Sequence, residues 1–142
     1  MTVPFLLVRT RVGLRTRLVE VTCIGETFRV AAREDVRICS ADDITAVLLE
    51  PFADAGHASE GNRDEAPEDA DIIVIGCCDE ITTPCLVATR RDGAWHDTTV
   101  DESTTRDWFD VRAEVVAALV ALHVQSTALA TAASATATEA AA

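Results

Sequence analysis

The sequence has no lysine, no tyrosine and one methionine, and its aromatic fraction is only 4%. Without lysine, every one of its twelve basic side chains is arginine, a bias that points to GC-rich coding rather than to a mechanism. Twenty-four acids oppose those twelve bases, for a net charge of −12. Such a chain repels a polyanion, and with so few rings to stack bases, generic nucleic-acid binding is disfavoured. The sequence also lacks a Gly-x-Ser-x-Gly elbow, a phosphate-binding P-loop, a His-Glu-x-x-His zinc motif and a Gly-x-Gly-x-x-Gly turn. No recognisable constellation for hydrolysis, phosphoryl transfer or dinucleotide binding is present, and no cofactor is expected.

The first residues offer no basic region ahead of an apolar run, since Arg9 and Arg11 interrupt Phe5-Leu6-Leu7-Val8. Five cysteines at 23, 39, 77, 78 and 85 form an odd, irregular set, unlike a secreted disulfide framework. The expectation is a chain of a reducing compartment: cytoplasmic, or incorporated into a particle assembled inside the cell. Between Glu114 and Glu139 no residue carries a formal charge. Only Val115–Val124 of that stretch is strongly apolar, a length suited to a core helix rather than to a membrane span.

The length, 142 residues, suits a single domain. Period-two alternation predicts strands over 4–12 and 14–24, joined at Val12-Gly13, with further strands at 27–32 and 36–39. Ser40-Ala41-Asp42-Asp43 reads as a helix start, and Ile44, Val47 and Leu48 share a face until Pro51. Residues 53–71 hold seven acids and no large apolar side chain, which predicts a mobile acidic loop. Ile72-Ile73-Val74-Ile75 reads as a central strand buried on both faces. Strands at 85–89 and 94–100 flank a turn at Arg91-Asp92-Gly93. A helix capped by Thr104 or Thr105 follows, with Asp107 in its first turn. Trp108, Val111, Val115, Leu119 and Leu122 form one stripe of it, and Val116, Val120 and Val124 a second. The Ala/Thr-rich residues 125–142 read as a low-complexity tail whose order fades. The fold class expected is α+β: one domain over 1–124, mainly antiparallel sheet, with a short mid-chain helix and a long buried C-terminal helix.

Charge is laid out unevenly: residues 1–37 sum to +3, 38–89 to −11 and 90–142 to −4. Arg9, Arg11, Arg15 and Arg17 therefore form a basic ribbon on an acidic body. Charged edges discourage strand pairing, and guanidinium forks on one face can also bind an acidic protein surface, including another copy's loop. Cys77, Cys78 and Cys85, with His96, are the candidate metal or thiol residues, and His57 is a further one. Their spacing matches no zinc knuckle, however, and Asp79 and Glu80 oppose a thiolate beside them. Cys23, Cys39 and Cys85 read as small apolar strand residues. His96 and Asp97, as strand neighbours, point to opposite faces, and His123 reads as a packed or half-exposed helix residue rather than a ligand.

The sequence thus favours a non-catalytic interaction or assembly module whose partners are other protein chains, itself included. A component of a viral or other multi-subunit assembly would suit it. Arg9, Arg11, Arg15, Arg17, Val116 and Val120 are its expected contact residues. The alternative is a small thiol- or metal-dependent enzyme or sensor centred on Cys77, Cys78 and Cys85. A charge mimic of nucleic acid is a weaker third reading, because half of the central acidity lies in an expected floppy loop.

Overall fold

The computed structural model describes residues 3–52, 69–91, 94–99 and 104–141. The expected acidic loop, apart from its last three residues, lies outside them, as do His57, Asp92, Gly93 and Val100. The chain is α+β, with eight antiparallel strands in a single sheet. Two meanders make it. The first runs through β1 (Phe5–Val12), β2 (Arg15–Ile24), β3 (Thr27–Ala31) and β4 (Val36–Ser40). The second runs through β5 (Ala70–Cys78), β6 (Ile81–Arg91), β7 (Ala94–Asp97) and β8 (Thr104–Arg106). They join along β1 and β5, so the order across the sheet is β4-β3-β2-β1-β5-β6-β7-β8. Between them comes α1 (Ile44–Leu48), and after β8 comes α2 (Trp108–Ala141), unbroken across residue 125.

The turns follow from local chemistry. Gly13 and Gly25 adopt φ of +58° and +60°, a left-handed conformation that costs glycine little. Asp79 and Glu80 are both left-handed, as the two central residues of a type I′ hairpin are. The patch Gly76-Cys77-Cys78-Asp79-Glu80, the most reactive-looking stretch of the sequence, is thus a strand end and its tight turn. Ser40 organises the start of α1: its Oγ accepts the Asp43 N–H at 3.3 Å and donates to Asp43 Oδ2 at 3.1 Å. One sequence expectation is corrected at α2. Thr104 and Thr105 do not cap it, because they pair with β7 as the edge strand β8. Asp107 caps instead, its Oδ1 accepting the Asp110 N–H at 2.8 Å while Asp110 Oδ2 accepts the Asp107 N–H at 3.4 Å.

One face of the sheet is sealed. Leu6 and Val8, Val19 and Val21, Phe28 and Val30, Ile72 and Val74, and Leu86 and Ala88 all point into it and are buried. Against them α2 sets Val111, Val115, Ala118, Leu119 and Leu122. At one end Trp95 stacks on Trp108 at 5.7 Å between centroids, and Phe52 meets both edge-on. Ile73 and Ile75 overturn the reading of a strand buried on both faces. They are only half-buried, and Arg9, Leu7 and Val87 neighbour them on the opposite face, which no described element covers. The strand also begins earlier than expected, at Ala70, because Asp71 is held by arginines of β1.

Candidate functional site

The basic ribbon does not present four guanidinium groups on one face. Register pairs Thr10 with Arg17 and Arg11 with Thr16, and side chains alternate along each strand. Arg9 and Arg11 therefore project from the open face, while Arg15 and Arg17 lie on the face that carries the core. The pairs are also largely engaged. Asp71 accepts from Arg9 Nη2 at 3.3 Å and from Arg11 Nε at 2.6 Å, and Arg11 reaches Asp69 at 3.1 Å. The bonds to Asp71 and Asp69 raise the Arg11 pKa further above its ordinary value. Arg17 Nη2 donates to the carbonyls of Val47 and Leu48 at 2.8 and 2.9 Å, so it ties β2 to the end of α1. Arg15 alone of the four is exposed without an ion pair among the described residues.

Cys77 and Cys85 lie near enough to influence each other, but His96 lies well apart from them. Cys77 lies on the open face opposite Phe5, while Cys85, extra at a bulge beside Pro84, packs against the core. His96 shares a row with Thr89 and Asp71, six residues along β5 from Cys77, roughly 20 Å at strand rise. Its Nε2 is enclosed without a hydrogen-bond partner among the described residues. Asp97 turns to the interior face, where it accepts hydrogen bonds from Thr99 and faces Arg106 Nε at 3.4 Å. Cys78 Sγ lies 3.9 Å from Asp79 Oδ2. Burial, then Cys85 and Glu20, pushes the Cys77 thiol above its ordinary pKa, the opposite of what a nucleophile needs. Among the described residues, no three His, Cys, Asp or Glu side chains converge to hold a metal ion.

The apolar surfaces are more coherent. On α2, Val116, Val120 and Val124 are 44%, 57% and 59% exposed, and Phe109 is exposed on the first turn. Helical geometry places this band about 100° from the buried Leu119 stripe. It borders a shallow groove whose opposite wall is Phe28 of β3 with Ala41, Ile44 and Thr45 at α1. His123 and Glu26 also line it. The segment Trp108–Ala132 is long and apolar enough to cross a membrane by length and composition, but here one stripe of it completes the core. A second exposed apolar site, Val36 and Ile38 on the edge strand β4, escaped the sequence reading. The alternation Val36-Arg37-Ile38-Cys39 carried the signal, but only the sheet order makes it an edge. Compared with known proteins, the chain matches no family model, no curated protein and no solved structure.

Proposed function

We propose that this protein is a non-catalytic assembly module that associates with copies of itself along α2. The observation that carries this reading is the exposed band Val116-Val120-Val124, on a helix whose other stripe is already spent on the core. Charge selects the partner surface. Two copies at −12 each repel over most of their surfaces, and the run from Val115 to Thr138 has no charge at all. That run is where two copies approach at least electrostatic cost, with the groove beside Phe28 and Ile44 able to receive a valine ridge. Arg15, exposed at the end of the β1–β2 hairpin, remains a candidate contact for an acidic segment of a neighbour.

Val120→Asp tests the reading by sedimentation across protein concentration. An exposed position tolerates the charge, so the variant should keep its circular dichroism and melt while association weakens at least tenfold. Wild-type association should strengthen as salt rises toward about 0.5 M, because screening relieves like-charge repulsion. Unchanged association in a folded Val120→Asp chain would remove the helix band from the interface.

A further inference from the structure

Among the described residues the sheet has two edges that no further strand covers, β4 and β8, and they differ. β8 spans three residues, Thr104-Thr105-Arg106, short and polar as natural edges are when they discourage pairing. β4 is five residues long, straight in register with β3, and free of proline and lysine. On its open side it shows Val36 and Ile38, 53% and 61% exposed. An edge of that kind is a template for another strand.

Backbone geometry states which groups are available. The turn between β3 and β4 is closed by the Ala32 N–H on the Asp35 carbonyl at 2.8 Å, so residues 32 and 35 form a hydrogen-bonded pair. In an antiparallel ladder these pairs alternate with non-bonded ones. Continuing the register, Arg37 with Val30 and Cys39 with Phe28 bond inward to β3. Val36, Ile38 and Ser40 therefore direct their N–H and C=O groups outward. Among the described residues only the Ser40 carbonyl has another partner there, the Asp43 N–H at 3.2 Å.

We infer that β4 pairs antiparallel with β4 of a second copy, about a two-fold axis at Ile38. That register brings the outward groups of Ile38 opposite those of its own copy, and Val36 opposite Ser40 in both directions. Val36, Ile38 and the Ser40 N–H are then paired, with the Ser40 carbonyl taking a second donor beside the Asp43 N–H; registers centred on Arg37 or Cys39 pair fewer of the outward residues. It also places Arg37 opposite Cys39 of the other copy, whereas a register centred on Arg37 would oppose like charges directly. Ile38 meets Ile38 on the open face, and the two sheets continue as one. The occupant is a copy because the strand complements itself in the spacing of its outward groups and in its apolar side chains, and its single charge, Arg37, does not meet its like. This interface is separate from the α2 band and does not rest on it.

The experiment uses the full chain with Val120→Asp, which silences the helix band, and the same chain with Ile38→Lys added. Sedimentation should give a concentration-dependent dimer for the first and a monomer for the second, with association weakened at least tenfold. In the wild-type chain, amide exchange by NMR should show the Val36 and Ile38 N–H groups slowing at least tenfold from dilute to concentrated samples. Arg37 and Cys39, already bonded to β3, should be slow in both. A Val120→Asp chain that stays monomeric at high concentration, with Val36 and Ile38 exchanging fast throughout, overturns the edge pairing. A dimer that survives Ile38→Lys overturns it as well. Association that weakens on Val120→Asp but still reaches a dimer bears on the helix band alone, because the remaining dimer and the amide readout follow β4.

Discussion

Burial pushes three thiols, Cys23, Cys39 and Cys77, above their ordinary range, with acidic neighbours Glu26 and Glu20 adding to the shift at Cys23 and Cys77. A raised folded pKa means that the native chain holds the thiol proton more tightly than the unfolded chain does. Their contribution to stability is then complete below the unfolded thiol value, about 8.5, and is lost as pH rises through the folded values. The melting temperature should therefore fall as pH rises past the ordinary thiol value of about 8.5. Replacing the three with alanine should lower the starting value and flatten that fall. An identical slope in the variant would show that other groups set the alkaline limit. Arg17 acts at the same scale, because it satisfies the Leu48 carbonyl at the helix end and adds a second donor to the Val47 carbonyl, which also accepts a backbone N–H.

At the scale of elements, α2 has two apolar stripes with different duties. Leu119, 4% exposed, packs into the sealed face, whereas Val120 beside it is open. Leu119→Ala should cost about 2–5 kcal/mol, the range for truncating a buried leucine, measured by denaturant unfolding. A cost below about 1 kcal/mol would mean that the stripe packs loosely against β2 and β6. The contrast with Val120→Asp, expected to spare the monomer, separates a core position from a surface one a single residue away. The capping pair at Asp107 and Asp110 sets where that helix starts, and so which residues fall on each stripe.

For the whole molecule, α2 is the lid on one face of an eight-stranded sheet whose two meanders meet only at β1 and β5. A chain ending at Asp107 leaves Val21, Ile72, Leu86 and Trp95 uncovered, and Trp95 loses its stack on Trp108. It should lose its near-ultraviolet dichroism and cooperative melt and bind a hydrophobic dye. Retention of a cooperative transition would show that the sheet stands without its helix. The net charge of −12 acts at this scale too, since it opposes both proposed contacts between copies and confines them to uncharged or locally balanced strips.

The alternation of apolar and polar residues in 5–12 and 15–24, the turn glycines and the three- and four-residue steps after Asp107 were enough to determine strands, hairpins and a final helix. Those signals are local, and local periods decide which side of an element is apolar. Which elements become neighbours is not local. That β5 pairs with β1, that Ile73 and Ile75 lie on an open face, and that Arg9 and Arg17 part to opposite faces all followed from register between distant strands. Asp71 belonged to an acidic run by composition and became the counter-ion of Arg9 and Arg11 only once β5 lay beside β1. The same holds for the candidate surfaces. The second stripe of α2 was visible as a spacing of valines, whereas β4 became an edge, and Ile38 an exposed one, only because the sheet ends there.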